Sequence, residues 1–232
     1  MRLAVIPARG GSKRIPRKNI REFCGRPMIA WSITAALESR CFDTVIVSTD
    51  DEEIAQIAKS EGADVPFMRP LALSGDKAPT LPVINHALNW LLEQKKPPSE
   101  ACCIYATAPF VRSEDLKRGL EMLLSSKSLF AMSVATFAYP FQRALRLQPT
   151  GRVEMIYPEH VMTRSQDLEE GYHDAGQFYW GSLAGWRSGK PLIGPDTSAV
   201  VLPRIRVQDI DTTEDWHNAE LMFEYLRKSG DL

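Results

Sequence analysis

Short apolar runs alternate with longer amphipathic segments along most of the 232-residue chain. Unbroken apolar or β-branched runs of strand length predict buried strands at 3–6, 44–49, 101–106 and 129–136. The first run is expected to stop at Pro7. Apolar residues at helical spacing predict helices that start near Pro27 and Asp51, and others over 81–92 and 113–124. Buried strands separated by helices indicate an α/β layered fold with a mostly parallel sheet covered on both faces.

The alternation breaks between about 137 and 176. This stretch has several Pro and Gly residues with only short apolar segments between them. We interpret it as an inserted arm, a substrate lid or a dimer contact, within one domain that spans 1–232. The strand pattern returns at 177–183, and the chain ends in a helix that Thr212 can cap.

Composition and charge exclude several classes of protein. Apolar residues make up 44% of the chain and charged residues 25%, which is ordinary for a folded domain. The net charge of −1 argues against a general nucleic-acid binder. The first apolar run is too short for a signal peptide and no run is long enough to span a membrane, so we expect a cytoplasmic protein with no membrane partner. The four cysteines form no CxxC pair, and reduced thiols are expected.

A basic, glycine-bearing loop follows the first predicted strand. The first 26 residues contain eight Lys and Arg against one Glu, a local charge of +7. Glycines let backbone N–H groups approach phosphate oxygens and the cations offset their charge, so the loop from Ala8 to Asn19 predicts a polyanion site. It matches neither the Walker A pattern nor GxGxxG. A merely solvated basic loop is the alternative.

Three further groups of polar residues could carry chemistry. Asp209 and Asp211 flank Ile210, and on an extended segment both carboxylates point the same way, which suits a Mg²⁺ site. The alternative is an exposed strand end followed by the acidic residues of a helix start. The segment YHDAGQFYWG at 172–181 contains Asp174, Gln177 and Tyr179, which can bind sugar hydroxyls and amides, or it is a turn that enters a core strand. Arg69 and the loop 74–80 could hold a base or ribose, or simply be a loop with a helix cap.

At these residues the sequence resembles the sugar-acid cytidylyltransferases, the family of CMP-sialic acid synthetases. The first motif carries the Ala-Arg-x-x-Ser-Lys-x-x-Pro-x-Lys-Asn pattern of that family, and the segment 172–181 most resembles members that act on pseudaminic acid. The matching stretches are IPARGGSKRIPRKN at 6–19, VIVSTDDEEIA at 45–55, RP at 69–70 with the loop through Thr80, ATAPFVR at 106–112 and DIDT at 209–212.

The resemblance implies a Rossmann-like fold of the nucleotide-diphospho-sugar transferase type and a reaction. CTP and a nine-carbon sugar acid would give a CMP-sugar and pyrophosphate, with Mg²⁺ as cofactor. It implies that Asp209 and Asp211 bind the metal. From the chemistry of the reaction we add the hypothesis that Asp211 acts through the metal to lower the pKa of the attacking hydroxyl. The residues implied in catalysis are Arg9, Lys18, Asn19 and Asp211. Those implied in nucleotide binding are Ala8, Arg9, Gly10, Gly11, Ser12, Lys13, Lys18, Arg69, Asp76 and Thr80.

One departure from the family bears on the sugar. Sialic acid enzymes have a Gln where this chain has Tyr105, which favours a different sugar, most readily pseudaminic acid. Tyr105, Asp174, Gln177 and Tyr179 are the expected sugar-binding residues. The open alternatives are N-acetylneuraminic, legionaminic or 3-deoxy-manno-octulosonic acid, a sugar-1-phosphate nucleotidyltransferase, and a non-catalytic nucleotide-binding protein. The resemblance also implies a homodimer whose arm covers the neighbouring sugar site.

Overall fold

The computed structural model describes residues 1–75 and 78–231, and that part of the chain contains ten strands and six α-helices. The strands are β1 (Arg2–Ala8), β2 (Glu22–Phe23), β3 (Arg26–Pro27), β4 (Thr44–Thr49), β5 (Glu100–Ile104), β6 (Phe130–Thr136), β7 (Leu145–Leu147), β8 (Val153–Met155), β9 (Tyr172–Ser182) and β10 (Thr197–Val201). The helices are α1 (Met28–Ser39), α2 (Glu52–Ser60), α3 (Thr80–Glu93), α4 (Ser113–Ser126), α5 (Leu183–Arg187) and α6 (Thr213–Ser229). Asp76, predicted to bind nucleotide, lies outside the described residues.

The central sheet confirms the predicted α/β class. Six strands pair in the order β10-β6-β9-β5-β1-β4. The pairs β1–β4, β1–β5 and β6–β10 are parallel, while β9 runs antiparallel to both β5 and β6. Five strands therefore share one direction, and their carboxyl ends meet at one edge, where ligands bind in open α/β sheets.

Apolar residues cover both faces of this sheet. One buried cluster joins the sheet to α1, α2 and α4, and a second joins the opposite face to α3 and α5. A third cluster, built around Phe23, Trp216 and Phe223, packs α6 beside the first loop. Ile15, in the middle of the basic loop, is 1% exposed within this third cluster, so the loop is anchored to the core.

Acidic residues help to cap the starts of two helices. The Asp51 side chain accepts a hydrogen bond from the Ile54 N–H at the start of α2. Thr212 caps α6, as expected, and it forms a reciprocal capping box with Asp215. Pro27 precedes α1 rather than opening it, because it is the last residue of β3.

The first strand does not stop at Pro7 as expected. β1 continues to Ala8, and Pro7 is in register with Ser48 of β4. Pairing with β5 ends at Val5, so the last part of β1 has one unpaired side, where a residue without an N–H is tolerated. β10 was not predicted at all.

The arm is shorter than the predicted 137–176. β9 begins at Tyr172, so the last five residues of that range belong to the central sheet. The sequence did not indicate this start because the β6–β9 ladder is irregular between Met132 and Val134. In this part of β9, Gly176 has a φ of +61°. Gly and Asp at this irregularity give the sequence the appearance of a turn. The arm itself contains the hairpin β7–β8, whose residues Leu145, Leu147 and Val153 are exposed.

Cys24, Cys41, Cys102 and Cys103 are all free, and burial raises the pKa of Cys102 and Cys103. Among residues 1–75 and 78–231, no helix has the length and apolar character to cross a membrane.

Candidate active site

Polar segments converge at the carboxyl edge of the sheet. The basic loop follows β1, Asp50 and Asp51 follow β4, and Tyr105 follows β5. Because β9 is antiparallel, its first residues, including Asp174, lie at this same edge. The fold thus brings together the groups that the sequence separates by more than a hundred residues.

The basic loop is held against the end of β4 by carboxylates. The Gly10 N–H donates to Asp50 Oδ1 at 3.2 Å. A Cβ on Gly10 would overlap Asp51 Oδ2 and meet the Asp51 Cβ at 3.1 Å, so this close approach requires glycine. Arg17, in the left-handed region with φ +56°, donates to Asp51 and Glu53. The Arg17 hydrogen bond lowers the pKa of Asp51.

Asn19 fixes the other end of the loop. Its side chain is buried, with Nδ2 donating to the Arg9 carbonyl at 2.9 Å, and its own carbonyl accepts from the Ile29 N–H at 2.8 Å. Asn19 therefore joins the loop to α1, while its side chain fixes the backbone of Arg9.

A cavity of about 330 Å³ opens beside the basic loop. Seven of the residues expected to bind substrates line it. They are Arg9, Ser12, Lys18, Asn19, Arg69, Thr80 and Tyr105. The lining also includes the apolar residues Pro7, Leu73 and Val83, together with Thr107, which carries a hydroxyl. A cavity with cations on one wall and small apolar residues on another suits a nucleoside triphosphate.

Arg69 is a buried cation in the wall of this cavity. Its side chain is 3% exposed, and its nearest described carboxylate, on Asp50, lies 3.6 Å from Nη2. Its other hydrogen bonds are long, 3.3 Å from Nε to Ser74 Oγ and 3.5 Å from Nη2 to the Ala8 carbonyl. Burial lowers the pKa of Arg69. A desolvated cation with weak hydrogen bonds gains free energy from an anionic or carbonyl ligand.

A second cavity, of about 360 Å³, adjoins the first. Tyr105 and Thr107 line both, so they form the boundary between the two cavities. Asp174, Tyr179 and Asp209 also line the second cavity. None of its described lining residues is Lys or Arg, whereas it contains two carboxylates.

Hydrogen bonds between side chains cross the boundary between the cavities. The Tyr105 and Thr80 hydroxyls are 3.3 Å apart, and the Tyr105 ring lies 5.3 Å from the Tyr179 ring. The Tyr179 hydroxyl donates to Asp174 Oδ2 at 2.5 Å, and the Gly176 N–H donates to Oδ1 at 2.8 Å. Burial raises the pKa of Tyr105 and of Tyr179, so both hydroxyls stay protonated and can donate.

Asp209 and Asp211 flank a buried Ile210, as the alternation predicted, but their surroundings differ. Asp209 is exposed in the second cavity. Asp211 is ion-paired with Lys18 at 3.3 Å and with Arg14 at 2.7 Å, and it lines neither cavity. Among the described residues, no group of three or more His, Cys, Asp or Glu could hold a metal by itself. Asp209 lines the second cavity and Asp211 contacts Lys18, which lines the first. Carboxylate oxygens fit Mg²⁺, which usually takes one or two protein carboxylates together with substrate phosphates.

Several expected site residues lie elsewhere. Gln177 is 3% exposed, its Nε2 donates to the Arg206 carbonyl at 2.6 Å, and it lines neither cavity. The Gln177 side chain, directly after Gly176 with its φ of +61°, is thus buried against the backbone of Arg206 and is absent from the lining of the second cavity. Ala8 is buried and contributes a carbonyl to Arg69. Gly10, Gly11 and Lys13 belong to the basic loop but do not line the first cavity.

Thr107 and Gln208 line the second cavity although the sequence did not single them out as site residues, and His173 from the segment 172–181 lines it as well. Thr107 lies within the matched stretch ATAPFVR, which was the available signal. His173 and Gln208 each adjoin an expected site residue, Asp174 and Asp209 respectively.

The chain belongs to the cytidylyltransferase family, whose model matches residues 3–178. Within it, the chain is 43% identical to the pseudaminic acid cytidylyltransferase of Campylobacter jejuni over 98% of both chains. It is 32% identical to the CMP-N,N'-diacetyllegionaminic acid synthase of Legionella pneumophila, over 96% of both chains. The expected family and the expected nucleotidyltransferase class of enzyme are therefore confirmed.

The fold is also that of solved nucleotidyltransferases. A structure of CMP:2-keto-3-deoxy-manno-octonic acid synthetase complexed with CTP matches 97% of this chain and 98% of its own, with a TM-score of 0.67 and 17% identity. The 4-diphosphocytidyl-2C-methyl-D-erythritol synthase of Anaerococcus prevotii matches with a TM-score of 0.63 and 13% identity. At such identities the likeness establishes the Rossmann-like fold alone.

Proposed function

We propose that the protein transfers CMP from CTP to the anomeric hydroxyl of pseudaminic acid and releases pyrophosphate. The observation that carries the proposal is the pair of cavities with Tyr105 and Thr107 as their common boundary. Two substrates bound on either side of this boundary have their reacting atoms next to each other, which supplies the positioning that such a transfer needs. The full-length identity of 43% to a pseudaminic acid cytidylyltransferase supports the choice of sugar.

The basic loop holds the triphosphate in this proposal. Arg9, Ser12 and Lys18 contact the phosphates, with Asn19 keeping the Arg9 backbone in place. Arg69 and Thr80 lie on the cytosine and ribose side. Charge builds on the phosphate oxygens as the hydroxyl oxygen bonds to the α-phosphorus and the bond to the β-phosphate oxygen breaks. The fixed cations stabilise that charge. Pyrophosphate leaves with the electron pair of the broken phosphorus–oxygen bond, and the proton of the attacking hydroxyl is released to solvent.

Asp209 and Asp211 are the proposed ligands of Mg²⁺. When bound, the metal would neutralise phosphate charge and acidify a bound hydroxyl. Asp211 is already paired with Lys18, so the residue connects the triphosphate loop to the segment that walls the sugar cavity.

Asp174 and Tyr179 are the proposed readers of the sugar. The Asp174 carboxylate is held by Tyr179 and the Gly176 N–H, and its remaining lone pairs accept an O–H or amide N–H of the ligand. Tyr105 occupies the position at which sialic acid enzymes have Gln. Its larger side chain lies at the boundary between the two cavities. These features favour pseudaminic acid over N-acetylneuraminic acid.

We propose that the protein is a homodimer in which the arm covers the neighbouring sugar cavity. The hairpin β7–β8 exposes Leu145, Leu147 and Val153, and Met162 further along the arm is also exposed. The described wall of the sugar cavity lacks Lys and Arg although the substrate is a carboxylate, and the arm carries basic residues such as Arg164. Mass photometry at micromolar concentration should give a dimer, and Leu147→Glu should shift it to monomer. Monomer only for the wild type would contradict this assembly.

We also propose that the protein is located in the cytoplasm. Its support is the free state of the four cysteines and the nature of CTP as an intracellular metabolite. Labelling of the cysteines in intact and lysed cells, compared with a periplasmic marker, tests it.

The test of the reaction is pyrophosphate release from CTP and Mg²⁺ with pseudaminic, N-acetylneuraminic, legionaminic and 3-deoxy-manno-octulosonic acids. Turnover with pseudaminic acid well above the other three is the expected result. Preference for another acid would overturn the sugar and keep the transfer reaction. CTP binding without turnover of any acid would contradict the transfer itself.

A further inference from the structure

An ion pair lies in the protein interior just before the segment that walls the sugar cavity. Arg206 Nη1 donates to Asp115 Oδ2, and Nη2 donates to Oδ1 at 3.3 Å. Arg206 is 6% exposed and Asp115 is 2% exposed. Asp115 is in the first turn of α4, and Arg206 ends the short helix Arg204–Arg206. Neither residue lines either cavity.

Stability is a weak reason to bury such a pair. Removing two charges from water costs about as much as their attraction returns, and apolar residues of similar size are often as stable or more stable. A pair that contributes little net stability can still fix the geometry of the chain around it.

The pair fixes the place where the cavity wall begins. Gln177 Nε2 donates to the Arg206 carbonyl, so α4 holds the Arg206 side chain and β9 holds its backbone. The next four residues, 207–210, all line the sugar cavity, and Asp211 follows. No other residue of the 204–206 helix is buried.

We propose that Asp115 and Arg206 are positioning residues that set the location of the wall 207–211 and thereby the affinity for the sugar acid. The inference rests on the proposed function, because it assigns a sugar acid to the second cavity. The main effect is expected on the acceptor side, because residues 207–210 line the sugar cavity, and Lys18, which contacts Ile210 and Asp211, links this wall to the basic loop.

The test is the double variant Asp115→Leu/Arg206→Met, which replaces the pair by apolar groups. Its Tm is expected to equal or exceed that of the wild type, and the Tm shift on adding CTP is expected to be unchanged. The KM for the sugar acid is expected to rise roughly ten- to hundredfold, as small misplacements of a binding wall do. Hydrogen exchange of the amides at 207–211, measured without any sugar, is expected to be faster.

Two single variants separate positioning from a general effect. Arg206→Lys keeps a cation opposite Asp115 and should have a KM nearer to the wild type. Arg118→Met is the matched control, because it removes the half-exposed second partner of Asp115, 2.9 Å away, without touching the wall. It should leave the KM for the sugar acid unchanged.

The outcomes distinguish this inference from the proposed function. The positioning role would be overturned if the wild type is active and the double variant has the same KM for the sugar acid and the same amide exchange at 207–211 as the wild type. A wild type inactive with all four acids would instead overturn the proposed function, and the exchange of 207–211 would still report whether the pair orders the wall.

Discussion

Lys18 Nζ lies 3.3 Å from Asp211 Oδ1 and also donates to the Ile210 carbonyl at 2.6 Å. The two residues are 193 positions apart in the sequence. This contact joins the loop after the first strand to the segment before the last helix. The basic loop and the segment beside the second cavity are thereby linked through Lys18, which lines the first cavity and shares Asp211 with Arg14.

Lys18→Met is expected to lower kcat/KM for CTP by about 10²–10³, because a preorganised cation near developing phosphate charge contributes a few kcal/mol to catalysis. Pyrophosphate release measures it, with Tm as the check on folding. Arg14→Met is the control: Arg14 contacts the same Asp211 at 2.7 Å, but its side chain is 69% exposed and it lines neither cavity. Equal losses in both variants would show that Lys18 acts only through Asp211.

Gly10→Ala is expected to destabilise the protein by about 1–3 kcal/mol, the range for overpacking a tight contact. The new Cβ would overlap Asp51, which is short, caps α2 and is bonded to Arg17, so the loop backbone must move instead. Urea unfolding measures the change. Gly11→Ala is the matched control for stability, since a Cβ there meets nothing within 4 Å. An unchanged unfolding midpoint for Gly10→Ala would mean that the loop is free to shift.

Tyr179→Phe is expected to raise the KM for the sugar acid by about tenfold while CTP binding stays the same. The variant removes one of the two donors that orient Asp174, and a hydrogen bond to a charged group is worth about 1.5–3 kcal/mol. Tyr172→Phe makes the same chemical change on the same strand, where the hydroxyl donates to Glu170 outside both cavities. Steady-state kinetics with each substrate varied in turn separates the two.

His86 is expected to make the protein less stable in mild acid. Its Nδ1 is buried with no hydrogen-bond partner among the described residues, and burial together with nearby Arg69 lowers its pKa. The unfolded imidazole binds a proton near pH 6.5, so below about that pH the unfolded state binds more protons and the free energy of unfolding falls.

His86→Gln should therefore reduce the loss of Tm between about pH 7.5 and pH 5.5. His217→Gln is the control, because that side chain is exposed on α6. The idea fails if the wild type and His86→Gln lose the same number of degrees over this range.

The regular part of the fold could be predicted because burial imposes a readable pattern. β4, β5, β6 and the helices α3 and α4 appear within two residues of their predicted ends, since continuous apolar runs and helical spacing mark both faces of a covered sheet. β10 was missed because it is short and half-exposed at the sheet edge. The start of β9 was missed because Gly176 interrupts the strand pattern.

The candidate site was predictable where charge and loop position coincide. Arg9, Ser12 and Lys18 were found from the basic loop, and the structure places them in one cavity. The position of Gln177 outside the second cavity could not be predicted, because residue type does not reveal which way a side chain points beside a bulge. Asp115 and Arg206 gave no signal at all, since an ion pair between positions 91 residues apart has no local pattern.

The antiparallel course of β9 has a consequence for how such a protein can change in evolution. β6 leaves the sheet at the edge where both cavities lie, and β9 re-enters it at the same edge. The arm between them is thus a detour with both ends fixed, and its length or composition can vary while every strand keeps its register. Changes in this detour can therefore alter what borders the second cavity, while the part of the site built on β1 and β4 keeps its geometry.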